Sequence, residues 1–179
     1  MKRPSNAAVL AAILGGAPFA AEHAAGEVVG VAANGFEVHE TAHVATSPDK
    51  AYAALLKPAR WWSSDHTFSG SAANLTLDAR AGGCWCESLP GGGSVEIMRV
   101  VYVTPGNSIR LRGALGPFQG LGVDGAMIWS VKSGGDGTDI TFSYAVGGYV
   151  EEGFDGLSKA ADRVLGEQLD RLKKFVDGA

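Results

Sequence analysis

The sequence has few cysteines, no excess of positive charge and no phosphate-binding motif. Of 179 residues, 2 are cysteines, so it lacks the set of disulfides that holds many small secreted domains together. Lys and Arg total 15 against 19 Asp and Glu, a net charge of −4. Such a chain has no basic field to recruit nucleic acid, so no nucleic-acid partner is expected. No lysine directly follows a glycine, which excludes a P-loop, and no cofactor is expected.

The two cysteines flank Trp85, as Cys84 and Cys86, and on a strand they share one face. On an ideal strand their Cα atoms would lie about 6.6 Å apart, near the upper limit for a disulfide. Two thiols are too few for a structural zinc ion, which takes four ligands, and no metal is expected. The spacing therefore predicts two unpaired, half-buried cysteines.

The N-terminal residues have the pattern of an export signal. Met1-Lys2-Arg3 is cationic, and the uncharged, mostly apolar run Ala7–Phe19 follows it. This run is shorter than the roughly 20 residues that span a membrane, so no stable membrane anchor is expected. We predict a signal peptide over 1–21, a linker over 22–34 and a folded domain over 35–179. The expected location is periplasmic or secreted, or cytoplasmic if the leader is only an N-terminal extension.

Glycine is abundant, with 26 residues, against an ordinary usage of about 7%. From Leu75 to Val146 glycine-rich turns separate short apolar runs, a pattern typical of an antiparallel meander. An earlier segment, Gly35–Thr46, alternates apolar and polar residues and predicts the first strand. Ser47-Pro48-Asp49 then opens a helix, and Pro58 ends it and begins a second short one.

The last predicted element is an amphipathic helix from about Leu157 to Val176. Its apolar residues recur at helical spacing, so the helix is expected to lie across the concave face of the sheet. Glu167 and Arg171 are spaced to pair on its solvent side. The order of elements predicts an α+β fold in which a curved antiparallel sheet wraps around a long C-terminal helix.

Residues 39–43 read His-Glu-Thr-Ala-His, the H-E-x-x-H pattern of zinc peptidases. That chemistry needs a helix, where His39 and His43 would be neighbours on one face. On a strand they would lie about 13 Å apart, too far for one zinc ion. Because the segment alternates as a strand does, we interpret the match as chance and keep a zinc peptidase with Glu40 as base only as the least favoured hypothesis.

A second match, G-x-G-x-x-G, lies at Gly120–Gly125. A dinucleotide site needs a helix after this motif, whereas residues 126–132 read as a strand. We interpret the glycine-rich connection 113–125 as an inter-strand segment that forms the mouth of a pocket.

Aromatic residues and a histidine crowd the segment Trp61–Phe68. The tryptophans either line the rim of a ligand pocket or fill the end of the domain, and both interpretations stay open. His66 follows Asp65, yet no nucleophile can be placed beside this pair.

Several stretches together resemble the START/SRPBCC superfamily, which has the helix-grip fold. The closest group is that of the heat-shock-chaperone ATPase activator and the polyketide cyclase-like proteins. The resemblance covers roughly residues 36–176 and rests on these stretches: Ala45–Tyr52, Arg60–Ser63, His66–Gly70, Gly82–Glu87, Gly93–Glu96, Arg99–Gly106 and Ile109–Leu111. It implies an apolar cavity between sheet and helix that takes lipids, hormones or polyketides, and in some members catalyses cyclisation or dehydration.

The candidate ligand-binding residues are those expected to face this interior. The apolar candidates are Trp61, Trp62, Trp129, Phe142, Tyr144 and Leu165. The polar ones are His66, Glu40 and Arg99. Glu40 lies on the otherwise apolar face of the first strand, where it either reaches solvent at an edge or is buried and pairs with Arg99.

Two main functional hypotheses follow. The favoured one is binding of a small hydrophobic molecule in the internal cavity by an exported domain. The alternative is a cyclase or dehydratase in the same cavity, which requires an acid or base there, with Glu40, His66 and Tyr144 as candidates. The sequence leaves the ligand and the oligomeric state open.

Overall fold

The computed structural model describes residues 25–178, which form one antiparallel sheet with a long helix across it. The strands are β1 (Ala25–Ala32), β2 (Gly35–Val44), β3 (Leu75–Leu77), β4 (Cys84–Ser88), β5 (Ser94–Thr104), β6 (Ser108–Arg112), β7 (Gly122–Gly134) and β8 (Gly137–Tyr149). The helices are α1 (Pro48–Leu55), α2 (Pro58–Trp61) and α3 (Asp155–Asp177). Short 3-10 segments lie at Ser64–His66, Ala72–Asn74, Pro90–Gly92 and Gly116–Gly120. The predicted leader lies outside the described residues.

The strands follow the order β1-β2-β8-β7-β6-β5-β4-β3, and every neighbouring pair is antiparallel. Among the described strands, each strand is next to the one that follows it in the sequence, except β2 and β3. The segment that connects β2 to β3 contains α1 and α2. This is the predicted α+β helix-grip architecture, so the fold prediction is confirmed. In residues 25–178 no helix combines the length and apolarity that crossing a membrane requires.

The structure has a strand, β1, where the sequence predicted part of a linker. β1 pairs with β2 from Ala25 opposite Thr41 to Ala32 opposite Gly35. Its register shifts between Val28 and Gly30. Because this bulge breaks the period of two, the segment shows no alternation by which its sequence would reveal a strand.

The centre of the sheet is built from the strongest alternation in the sequence. On β7 from Gly125 to Val131 and on β8 from Thr138 to Val146 every second residue is buried, as the pattern predicts, and α1 packs against both strands. The helix α3 contributes the buried stripe Ala161, Leu165, Leu169, Leu172 and Val176. These two faces form one apolar core.

Cys84 and Cys86 are joined by a disulfide, so the prediction of two unpaired cysteines is wrong. Their Cα atoms are 5.5 Å apart rather than at the ideal-strand spacing. At this point Trp85 lies opposite Met98 whereas Cys86 lies opposite Glu96, so the pairing of β4 with β5 is irregular here. The local departure from ideal extension brings the two residues within bonding reach.

The same bulge makes the prediction for Arg99 wrong. An unbroken alternation would place Arg99 on the inner face with Ile97. Because the register shifts, Ile97 and Met98 are both buried and Arg99 turns outward. Its guanidinium pairs with Glu96 and donates to the carbonyl of Gly82 (3.3 Å), and it does not meet Glu40.

Candidate functional site

A cavity of about 360 Å³ lies between the first half of α3, the inner face of the sheet and two loops. On α3 the cavity is lined by Ala160, Ala161, Val164 and Leu165, and the small side chains of the two alanines leave room for it. Further along the helix, Leu169, Leu172 and Val176 are buried in the apolar core. The helix is therefore packed tightly on the sheet at its C-terminal half and stands over a cavity at its N-terminal half.

Aromatic side chains form most of the remaining wall. Trp62 and Trp85 meet edge to face, with ring centroids 4.7 Å apart, and Phe118 lies in the loop between β6 and β7. Phe68 also lines the cavity and is half exposed (50%), so it lies at the open side. Aromatic and aliphatic walls of this kind are typical of sites for small organic ligands.

The loop between β6 and β7 lines the cavity with residues 115–118, within the connection predicted to form its mouth. The N–H of Leu115 donates to the hydroxyl oxygen of Tyr144 (3.0 Å), which anchors this loop to the sheet. Burial raises the pKa of Tyr144 far above its ordinary value. The phenol is therefore neutral and acts as a structural anchor.

Glu87 holds the opposite loop. The N–H of Phe68 donates to one oxygen of its carboxylate (3.0 Å) and the N–H of Ser69 to the other (2.5 Å). Glu87 lines the cavity floor and is buried, with 1% of its surface exposed. Sequence reasoning missed it, although the alternation of β4 places it on the inner face with Trp85.

Helix α3 fixes the segment Trp61–His66 with polar contacts from successive turns. Gln168 accepts from the N–H of Ser63 (2.7 Å), and Arg171 donates to the carbonyl of Trp61 (2.9 Å). Glu167 pairs with His66 (3.1 Å). Glu167 and Arg171 therefore contact this segment rather than making the solvent-side pair that their spacing predicted.

The predicted ligand-binding residues divide into two groups. Trp62, His66 and Leu165 line the cavity. The other apolar candidates are buried beneath it: Trp61, Trp129, Phe142 and Tyr144. Both interpretations of the Trp61-Trp62 pair thus apply, one to each residue.

Glu40 lies outside the cavity, buried between β2 and α3 with 1% of its surface exposed. Its neighbours leave room for it: a Cβ atom at Gly26 of β1 would lie 2.0 Å from Glu40 Oε2, and one at Gly166 of α3 3.2 Å from the same atom. Asp162 and Asp170 lie one helical turn before and after Gly166, on the same face. The carboxyl group therefore faces α3 between two acidic residues.

Burial is the main cause that raises the pKa of Glu40 from 4.5 to about 8. The negative charge of Asp162 and a hydrogen bond to it act in the same direction, and Asp170 adds a smaller effect. Oε1 of Glu40 and Oδ1 of Asp162 are buried and receive no N–H or O–H from the described residues. At neutral pH, below this pKa, Glu40 retains its proton and can donate it in a hydrogen bond to Asp162.

The H-E-x-x-H segment is part of strand β2. His39 and His43 are exposed on the outer face, where they pair with Glu37 and Asp139 (each 2.8 Å), and Glu40 points to the inner face. The hydrogen bond to Asp139 raises the pKa of His43. A strand cannot bring these three side chains to one metal, which removes the basis of the zinc-peptidase hypothesis. In residues 25–178 no group of three or more His, Cys, Asp or Glu side chains is arranged to hold a metal ion.

The long helix on an antiparallel sheet, with an aromatic-walled cavity between them, defines a helix-grip domain. A family model described as polyketide cyclase/dehydrase and lipid transport matches residues 35–177. The chain belongs to this family, part of the SRPBCC superfamily that the sequence resembles. No curated protein matches the chain.

Solved structures share the fold at low sequence identity. Protein MLL2253 from Mesorhizobium loti has a TM-score of 0.59 at 14% identity, covering 80% of this chain and 98% of its own. CalU16 from Micromonospora echinospora has a TM-score of 0.55 at 17% identity, covering 85% of this chain and 86% of its own. Ara h 8.0201 has a TM-score of 0.57 at 9% identity, covering 80% and 98% respectively. At these identities the likeness concerns the fold alone.

Proposed function

We propose that this protein binds a small hydrophobic molecule in the cavity between α3 and the sheet, and does so after export from the cytoplasm. The observation that carries the binding proposal is the aromatic-walled cavity of about 360 Å³, because an apolar space of this size is large enough for a small organic ligand. The family description, which includes lipid transport, agrees with such a ligand.

Binding is favoured over catalysis of cyclisation or dehydration. Catalysis in the cavity needs an acid or base in contact with the ligand. Of the three candidates, Glu40 and Tyr144 are not among the residues that line the cavity. The hydroxyl of Tyr144 accepts a hydrogen bond from the N–H of Leu115. His66 lines the cavity and is paired with Glu167. The buried carboxylate of Glu87 also lines it, but both of its oxygens accept backbone N–H groups of the neighbouring loop.

Filling the cavity is expected to abolish binding. We expect some members of a panel of hydrophobic ligands to raise the melting temperature by about 5–10 °C at 100 times their Kd. Ala161→Phe places a ring in the cavity and should remove this shift, because Ala161 lines the wall. The measurement is thermal unfolding followed by circular dichroism, with and without each ligand.

Arg163→Phe is the matched control, since Arg163 lies on the exposed side of the same helix. It should keep the ligand-induced shift. A shift that persists in Ala161→Phe contradicts binding in this cavity, and no shift with any ligand in the unmodified protein contradicts the function itself.

Two features support export. The cationic start followed by an apolar run has the form of a signal peptide. The disulfide between Cys84 and Cys86 suits an oxidising compartment. We therefore expect protein isolated from its native cells, with a thiol-blocking reagent present throughout, to lie in the periplasmic or secreted fraction with both cysteines unmodified by the reagent. Mass spectrometry should also find residues 1–21 removed; an intact N-terminus with two blocked thiols contradicts export.

A further inference from the structure

The charge of the cavity wall narrows the class of ligand. The lining residues include two carboxylates, Asp65 and Glu87, and neither lysine nor arginine. His66 is the remaining ionisable side chain, and its ring faces Glu167. A ligand that carries a carboxylate, as a fatty acid does, would thus enter without a cationic partner and against two like charges.

Glu87 has the stronger influence because it is buried. Its two oxygens accept the N–H groups of Phe68 and Ser69, and no ion pair with a described cation neutralises it. Charge interactions are strengthened where water is excluded, so this carboxylate makes the floor of the cavity negative. Asp65 is exposed and adds its charge at the open side.

The aromatic walls act in the same direction as the carboxylates. Trp62, Trp85, Phe68 and Phe118 border one small space, and the faces of aromatic rings attract cations. A positive group held between such rings and a carboxylate keeps favourable contacts after it leaves water. At about 360 Å³ the cavity is at the small end of ligand sites, which suits a compact one- or two-ring body.

We propose that the preferred ligands are compact aromatic or alicyclic amines, in which an apolar body fills the cavity and an ammonium group faces Glu87 and Asp65. This inference rests on the proposed binding function. It follows from the presence of two wall carboxylates, the lack of lysine and arginine among the lining residues and the surrounding aromatic rings.

The test uses three probes that share one apolar body: 2-naphthylmethylamine, 2-naphthylmethanol and 2-naphthoic acid. Their affinities are measured by isothermal titration calorimetry on the full chain at pH 7. We expect the amine to bind about tenfold more tightly than the alcohol, and the acid to bind most weakly, as the attraction of rings and carboxylates for a cation implies.

Glu87→Gln should reduce the preference for the amine over the alcohol by several-fold. Because Glu87 also holds a loop, Asp65→Asn is made in parallel: Asp65 is exposed, and its loss should reduce the same preference without disturbing the fold. Asp136→Asn is the control, since Asp136 is 98% exposed in the β7–β8 hairpin and does not line the cavity. It should leave all three affinities unchanged.

The possible outcomes separate the two proposals. If the alcohol or the acid binds as tightly as the amine, the ligand class is overturned and the binding function stands. An amine preference that survives both Glu87→Gln and Asp65→Asn overturns the assignment to these carboxylates. If none of the three probes and no ligand of the hydrophobic panel binds, the binding function fails and the ligand class with it.

Discussion

The free energy of unfolding is expected to fall by up to about 4 kcal/mol between pH 5 and pH 9, because of Glu40 alone. The pKa of Glu40 in the folded protein is about 8, against 4.5 as its ordinary value. The folded state therefore binds this proton more tightly than the unfolded chain does. The resulting stability is complete below pH 4.5 and is lost as the pH rises through 8. Above pH 8 a charge is buried beside Asp162 and Asp170.

Glu40→Gln should remove this pH dependence. The glutamine side chain has nearly the shape of the protonated acid, stays uncharged and can donate to Asp162. We expect the variant to match the unmodified protein at pH 4 and to exceed its stability at pH 9. The free energy of unfolding of each protein is measured by urea unfolding at several pH values. An unchanged dependence on urea concentration shows that only stability has changed.

Two features of β2 provide the controls. Glu37→Gln changes a carboxylate on the exposed face of the same strand and should leave the pH profile unchanged. The raised pKa of His43 also makes stability decline as pH rises, but this contribution is common to the unmodified protein and to Glu40→Gln. The difference in stability between these two proteins thus isolates the contribution of Glu40. If the free energy of unfolding depends on pH equally in both, Glu40 is not buried as described.

Trp129→Ala is expected to cost about 3–5 kcal/mol of stability, because it leaves a cavity at the centre of the sheet. Trp129 has no exposed surface, and its ring centroid lies 5.6 Å from that of Trp61, 5.0 Å from Trp85 and 5.4 Å from Phe142. Aromatic pairs of this kind add about 0.5–1.5 kcal/mol beyond the area they bury. One substitution removes three such contacts.

Trp129→Phe should be much less harmful than the alanine variant. The indole N–H of Trp129 is buried and has no acceptor among the described residues, so phenylalanine removes an unpaired donor while keeping a ring in place. Tyr149→Ala is the control, since Tyr149 is 74% exposed and its loss should change stability by less than about 0.5 kcal/mol. Guanidinium unfolding measures all three, and a Trp129→Ala cost no larger than that of Tyr149→Ala would contradict the packing described.

Regular alternation in the sequence predicted the centre of this fold. On β7 and β8 the buried residues recur at every second position, and on α3 they follow the helical period. Such patterns are local, because each segment carries its own signal of which face is buried. The alternation therefore predicted that Trp129, Phe142 and Tyr144 face the interior, but it did not distinguish the lining of a cavity from the packed core beneath it, where the structure has them.

The parts that sequence reasoning missed depend on irregular pairing or distant neighbours. The shift between β4 and β5 reverses the face of Arg99, and an unbroken alternation does not reveal it. The burial of Glu40 depends on Gly26 and Gly166, which lie on other elements. For the same reason the sequence leaves open whether Glu40 reaches solvent, because β1, which lies beside it, shows no strand pattern.

The disulfide of β4 also has a consequence for recognition. The bond lies on the outer face of the sheet, while the residue between the two cysteines, Trp85, turns its indole into the cavity wall. A covalent bridge across that one residue narrows the backbone angles open to it, so the bridge would hold the ring in position before the proposed ligand binds. Reduction of this disulfide, which lies outside the cavity, would thus make the position of Trp85 less fixed. The redox state of the two cysteines would then change the affinity of the cavity for a ligand.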